Sequence, residues 1–88
     1  MDVRSEIAEL MDEVIARVFR KEKEEIASHH ELRFKEDLNV NSKHYFPILS
    51  ALSDEFDLDI DYHEFQFYAT TVESAIDYVY AKYQEQIG

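Results

Sequence analysis

The sequence predicts a single small all-α domain, and three observations lead to that prediction. The chain has 88 residues, 45% of them hydrophobic, which suits one domain with its own core and argues against disorder. It contains one glycine and one proline, so little of it can form tight hairpin turns. Apolar residues instead recur at intervals of three and four residues, which is the spacing of an α-helix.

The N-terminal segment has the clearest helical pattern. Its apolar residues follow a spacing that places them on one helix face: Ile7, Leu10, Met11, Val14, Ile15, Val18 and Phe19. They predict a first helix at roughly residues 3–20. The charged run RKEKEE at 20–25 is interpreted as a solvated helix end or the start of a loop.

Residues 26–41 lose this period and predict a long loop. Scattered apolar residues would pin the loop onto the core: Ile26, Leu32, Phe34, Leu38 and Val40. Helical spacing returns from Tyr45 to Phe56, which predicts a second helix beginning somewhere in 42–47.

Proline near the start of the second helix should disturb its first turn. Pro47 has no N–H and its ring would face the carbonyl of Lys43 if the helix began at Ser42. We therefore expect a distorted first turn, or a regular helix that begins near His44–Tyr45.

Two further helices follow in the C-terminal part. Asp61 with Glu64 has the spacing of a capping box and predicts a short third helix. Thr70 with Glu73 has the same spacing and predicts a last helix at roughly 71–85. The predicted fold is a four-helix bundle with a long loop between helices one and two and a short third helix.

The charge balance narrows the classes of partner. Twenty acidic residues against nine basic ones give a net charge of −11, which disfavours binding to nucleic acid or to anionic membranes. The same charge favours partners with basic patches. The sequence has no cysteine, no signal-peptide pattern and no apolar stretch of transmembrane length. We therefore expect a soluble cytoplasmic protein without membrane insertion, and a monomer.

Two kinds of metal site can be tested against the spacing of their ligands. Asp57, Asp59 and Asp61 alternate as at the start of a calcium loop, but the sixth and twelfth positions hold Tyr62 and Tyr68 instead of Gly and Glu. No two histidines have the H-x-x-x-H spacing of a zinc site. The sequence thus predicts no metal site.

A catalytic triad is also a poor fit. Ser42 and His44 lie two residues apart, so they point in different directions on a helix, and nothing near them predicts an oxyanion hole. We expect no catalytic residue in this chain and hence no enzyme.

Several motifs in residues 34–79 together resemble the acyl carrier protein family. Phe34 and EDL at 36–38 begin the match, and NVNSK at 39–43 stands where the family has Asp-Ser-Leu. ALSDEFDLDI at 51–60 and TTVESAIDYV at 70–79 resemble the family's later segments. The resemblance implies a four-helix acyl-carrier-like fold with phosphopantetheine attached covalently to Ser42.

The resemblance also implies how such a chain works. A phosphopantetheinyl transferase would load Ser42, and acyl groups would be held as thioesters for delivery to acyl-transferring or ligase enzymes with basic patches. A phosphate on Ser42 would lie at or near the start of the second helix, where the helix dipole favours an anion. We expect the protein to carry acyl groups in a specialised lipid or secondary-metabolite pathway.

The residues around the serine depart from the family pattern. The family usually has Asp before the serine and Leu after it, whereas this chain has Asn41, Lys43 and His44, followed by Pro47. An alternative is that Ser42 only caps the helix. The chain would then be an acyl-carrier-like protein-interaction module without the prosthetic arm.

Two further sets of residues follow from the resemblance. The expected partner-binding residues are Lys43, His44, Asp54, Glu55, Asp57 and Asp59. The expected wall of the acyl pocket is formed by Leu49, Leu52, Ile60, Phe65, Tyr68, Ala75 and Ile76. Because Phe65 and Tyr68 are bulky and protein interiors have little spare volume, we expect short or polar-substituted acyl groups.

Overall fold

The computed structural model describes residues 2–88, and within that range every regular element is an α-helix. The five helices are α1 (Val3–Phe19), α2 (Lys23–Ala27), α3 (Ser42–Phe56), α4 (Tyr62–Tyr68) and α5 (Val72–Gln86). α1 packs against α2, α3 and α5, and α4 packs against α3 and α5. The all-α prediction is confirmed, with one helix more than the four expected.

α1 closely follows the prediction from apolar spacing. The side chain of Asp2 caps it by accepting a hydrogen bond from the backbone N–H of Ser5 at 2.8 Å. The helix ends at Phe19 because Arg20 adopts a left-handed conformation with φ 57°. Its apolar stripe is the centre of the core.

Residues 20–25 follow the end of α1 and are all exposed, as expected, but the sequence did not predict α2. A five-residue helix begins there at Lys23. Ile26 is fully buried against the core, and Lys23 Nζ lies 3.3 Å from Glu9 Oε1 on α1. The contact of Ile26 with the core was predicted from the sequence, but the short helix that carries it was not.

The connection at 28–41 is pinned to the core as predicted. Phe34 and Leu38 are buried, and backbone hydrogen bonds join the loop to the turn before α5 and to the first residues of α5. Phe34 N–H donates to the Thr70 carbonyl and Val72 N–H donates to the Leu32 carbonyl, each at 3.0 Å. These bonds satisfy backbone groups that would otherwise be buried without partners.

α3 begins at Ser42, within the predicted range of 42–47, so of the two effects expected from Pro47 the later start near His44–Tyr45 is wrong. The first turn includes a hydrogen bond of three-residue spacing, from His44 N–H to the Asn41 carbonyl at 3.0 Å. Pro47 lies inside the helix, where its ring nitrogen cannot donate to the Lys43 carbonyl, and both residues are exposed.

The capping of the last two helices is partly as predicted. Asp61 caps α4 by accepting from Glu64 N–H at 2.9 Å. The capping box of α5 is formed by Thr71 and Ser74, so the pair expected from sequence, Thr70 and Glu73, is one residue out of register.

Asp12 is the only buried charged residue within residues 2–88. His30 Nε2 lies 2.7 Å from its Oδ1, and His30 Nδ1 lies 3.5 Å from Glu73 Oε2 on α5. Arg4 in turn pairs with Glu73 at 2.7 Å. The pKa of Asp12 is raised, mainly by burial, while the hydrogen bond from His30 opposes that shift. This network ties the loop to α1 and α5.

Candidate functional site

Ser42 is the first helical residue of α3 and is exposed to solvent. The N-cap position belongs to Asn41, whose Oδ1 accepts from Lys43 N–H at 2.9 Å. His44 Nδ1 completes the capping box by accepting from Asn41 N–H at 3.0 Å. The alternative in which Ser42 serves as the helix cap is therefore wrong, and its hydroxyl makes no hydrogen bond with any residue from 2 to 88.

The two basic neighbours of Ser42 have different surroundings. Lys43 is exposed and forms no salt bridge in the described part of the chain. His44 is half-buried, and its ring packs on Phe19 of α1 with the ring centroids 4.5 Å apart. Of the two residues expected to contact partners here, Lys43 is the one presented to solvent, whereas His44 anchors the helix start.

The four acidic residues expected to contact partners are all exposed and lie at the other end of α3. Asp57 ends the helix in a left-handed conformation with φ 54°. The backbone of Asp59 exchanges two hydrogen bonds with the Gln86 side chain, at 2.9 and 2.8 Å. Because an α-helix rises about 1.5 Å per residue, Asp54 lies roughly 18 Å along the axis from Ser42.

An open groove runs along α3 between these two ends. We name it the α3–α4 groove; it has a volume of about 320 Å³ and is lined by Phe46, Leu49, Ser50, Ser53, Asp54, Ile60 and Tyr62. Phe46, Ser50 and Ser53 follow Ser42 at helical spacing and so lie on the same face of α3. Serine and aspartate side chains make this groove part polar.

The residues expected to form the acyl pocket are split between this groove and the core. Leu49 and Ile60 line the groove. The core holds Leu52, Phe65, Ala75 and Ile76, all with 0% exposure. The prediction for Tyr68 is wrong, because its side chain is 53% exposed and stacks on the Tyr78 ring outside the core.

Sequence reasoning missed four residues that line the α3–α4 groove: Phe46, Ser50, Ser53 and Tyr62. Phe46, Ser50 and Ser53 lie four, eight and eleven residues after Ser42, and this helical spacing could have indicated that they share its face. Tyr62 had no such signal, because it comes from the start of α4, 20 residues further along the chain.

Tyr62 connects α4 directly to the start of α3. Its hydroxyl donates to the Ser42 carbonyl oxygen at 2.7 Å, and its ring lies 6.3 Å from the Phe46 ring. The position of α4 is thereby coupled to the backbone of the candidate modified residue.

Replacing Tyr62 with phenylalanine is expected to lower the free energy of unfolding by about 0.5–1.5 kcal/mol, the usual net contribution of one hydrogen bond. Urea unfolding monitored by circular dichroism measures this change. Tyr83→Phe is a matched control, since the Tyr83 hydroxyl makes no hydrogen bond within residues 2–88 and its loss should change little. Equal effects in the two variants would show that the Tyr62 bond contributes nothing.

A polar cluster holds α4 against α5. The Tyr78 hydroxyl donates to the Glu64 carboxylate, and Lys82 Nζ lies 2.8 Å from Glu64 Oε1. Lys82 and then Tyr78 lower the pKa of Glu64, whereas burial and the Glu64 carboxylate raise the pKa of Tyr78. α4 is thus fixed on both sides, by Tyr62 to α3 and by Glu64 to α5.

Neither metal ligation nor membrane crossing is indicated by residues 2–88. No group of three or more histidine or carboxylate side chains there is positioned to hold a metal ion. None of the five helices is long and apolar enough to cross a membrane.

No protein family, curated protein or solved structure was found to match the chain. The basis for a functional proposal is therefore the residues and geometry around Ser42.

Proposed function

We propose that the chain is an acyl-carrier-like protein that holds acyl groups as thioesters on a phosphopantetheine arm attached to Ser42. The observation that carries this proposal is the state of the Ser42 hydroxyl. It is exposed and without a hydrogen-bond partner in residues 2–88, because Asn41 and His44 perform the capping that a serine at this position could otherwise perform. The Ser42 hydroxyl therefore has no structural role in the described residues, although the Ser42 carbonyl accepts from Tyr62.

The surroundings of Ser42 suit a phosphodiester. The residue lies at the N-terminus of a 15-residue helix, where the helix dipole favours a negative charge. Exposed Lys43 adds a cation next to it in a protein that is otherwise strongly acidic. The bound group would supply a thiol that forms thioesters, which a chain without cysteine does not have.

The α3–α4 groove offers a place for the cargo. It follows the same helix face as Ser42, and its apolar lining comes from Phe46, Leu49 and Ile60. Ser50, Ser53 and Asp54 provide hydrogen-bonding groups along one side. This mixture suits short or polar-substituted acyl groups better than long saturated chains, because buried apolar area is limited.

Transfer of the acyl group would be carried out by partner enzymes. The exposed carboxylates of Asp54, Glu55, Asp57 and Asp59 suit acyl-transferring or ligase enzymes with basic patches. Because Asn41, Lys43 and Pro47 differ from the usual family pattern, the expected pathway is specialised lipid or secondary-metabolite synthesis. The chain itself presents and protects the cargo.

Incubation with coenzyme A, Mg²⁺ and a phosphopantetheinyl transferase is expected to raise the whole-protein mass by one phosphopantetheine group. Ser42→Ala should abolish the gain because it removes the attachment oxygen. Ser50→Ala is the matched control, since Ser50 is an exposed serine on the same helix, and it should leave the gain unchanged.

Two results would contradict the proposal. Modification at Ser50 or Ser53 would place the arm on the wrong residue. An unchanged mass in the parent protein, with a carrier protein of known activity loaded in parallel, would leave the interaction module without the arm as the better description.

A further inference from the structure

A second groove lies away from Ser42, between α1 and α3. We name it the α1–α3 groove; its volume is about 390 Å³ and its lining residues are Glu6, Glu9, Leu10, Glu13, Glu55 and Phe56. Leu10 and Phe56 are half-buried and form an apolar floor. Phe56 is held in place by edge-to-face packing on Tyr83 of α5, with ring centroids 6.4 Å apart.

The carboxylates stand in a row along the walls of the groove. Glu6, Glu9 and Glu13 follow one another at spacings of three and four residues, so they cover about 10 Å of α1. Glu55 comes from α3 on the other side. They do not converge as metal ligands, since no such group occurs in the described part of the chain.

Few of these charges are neutralised by the protein itself. Glu9 is paired with Lys23, whose Nζ lies 3.3 Å from Glu9 Oε1. Glu6, Glu13 and Glu55 form no salt bridge within residues 2–88. The groove therefore combines an apolar floor with three uncompensated negative charges, on a chain of net charge −11. Such a surface repels nucleic acids and anionic lipids.

We propose that the α1–α3 groove binds a basic amphipathic helix of a partner protein. One large apolar side chain of that helix inserts between Leu10 and Phe56, as in other complexes in which a helix occupies a groove. Lysine or arginine residues at spacings of three and four then face Glu6, Glu13 and Glu55. This surface is separate from Ser42 and does not depend on a prosthetic arm. Glu55 joins it to the acidic residues at the end of α3.

A synthetic amphipathic helix made of lysine and leucine, about 16 residues long, serves as the probe. A peptide of the same composition with its order scrambled removes the apolar face and keeps the charge. Calorimetric titration of the full chain at low and high salt measures both affinities. We expect the amphipathic peptide to bind more tightly and to weaken as salt is added. Equal affinities for the two peptides would overturn the proposal, because general charge attraction would then explain the binding.

The location of binding is tested with two triple variants of equal charge. Glu6→Gln, Glu13→Gln and Glu55→Gln together should weaken binding about tenfold. Glu22→Gln, Glu24→Gln and Glu25→Gln are the matched control, because these exposed residues lie outside the groove. Similar losses in both triple variants would overturn the proposal.

The apolar floor is tested by Leu10→Ala, with Leu32→Ala as a half-buried leucine outside the groove. Circular dichroism confirms that each variant is folded before titration. Leu10→Ala should weaken binding of the amphipathic peptide several-fold without changing its salt dependence. Unchanged affinity in this folded variant would overturn the insertion of an apolar residue between Leu10 and Phe56.

Discussion

Phe65→Ala is expected to lower the free energy of unfolding by about 3–5 kcal/mol, because it leaves a large cavity in a closely packed core. The Phe65 side chain has 0% exposure. It packs edge-to-face on Tyr45 with ring centroids 6.2 Å apart, and lies 6.0 Å from the Tyr78 ring. One substitution therefore removes contacts to α3 and α5 together. Urea unfolding followed by circular dichroism measures the loss.

Phe67→Ala is the matched control for this prediction. Phe67 lies on the same short helix but is 74% exposed, so its replacement should change stability by less than about 0.5 kcal/mol. Comparable losses for the two variants would contradict the position of Phe65 at the junction of three helices.

Removal of the His30 imidazole should also be costly. His30→Ala leaves the Asp12 carboxylate, whose side chain is 7% exposed, without its 2.7 Å partner. We expect the free energy of unfolding to fall by about 1.5–3 kcal/mol at pH 7, the range for a hydrogen bond to a charged group. His29→Ala is the matched control, because His29 is exposed and pairs only with exposed Glu31. Equal losses for the two histidines would contradict a buried role for Asp12.

The contribution of Asp12 to the free energy of unfolding depends on pH in a definite direction. Burial raises the pKa of Asp12 in the folded protein above its ordinary value of 3.8. Between these two pKa values the folded state binds more protons than the unfolded state, so the Asp12 contribution to stability falls as pH rises. The loss of stability caused by the buried Asp12 charge is fully present above the folded-state pKa and disappears below 3.8.

Asp12→Asn isolates this contribution. It keeps an oxygen that can accept from His30 and removes the charge, so its stability relative to the parent should improve as pH rises above 3.8. In His30→Ala the fall should be larger in total and extend to higher pH than in the parent, because the hydrogen bond that opposes the shift is gone. Parallel stability curves for Asp12→Asn and the parent would show that this carboxylate has no raised pKa.

Apolar spacing was sufficient for the long helices and insufficient for the short ones. α1 and α5 end within a residue of their predicted bounds because each has a long stripe of buried residues on one face. α2 has a single buried residue, Ile26, and one apolar position cannot show a period. The five-helix bundle was therefore predicted as four helices and a longer loop.

The short α4 explains the error at Tyr68. Its sequence YHEFQFY has aromatic residues on every side of two helical turns, so the sequence alone could not indicate which ring faces inward. The structure buries Phe65 and leaves Phe67 and Tyr68 exposed.

The site around Ser42 was predictable only where its geometry is local. Helical spacing from Ser42 could have indicated Phe46, Ser50 and Ser53 as neighbours on one face. The hydrogen bond from Tyr62 depends on how α4 docks, and no short-range pattern encodes it. The cap was ambiguous, because Asn and Ser are both good capping residues and adjacent in the sequence.

The length of α3 sets a minimum size for any protein that contacts both of its ends at once. Ser42 begins this helix and Asp57 follows its last residue, so the helix holds the serine and the acidic turn a fixed distance apart. A single partner must have a footprint of roughly 18 Å or more to contact the serine and Asp54 together. A smaller protein can contact only one end at a time, and the other end then remains free to bind a second protein.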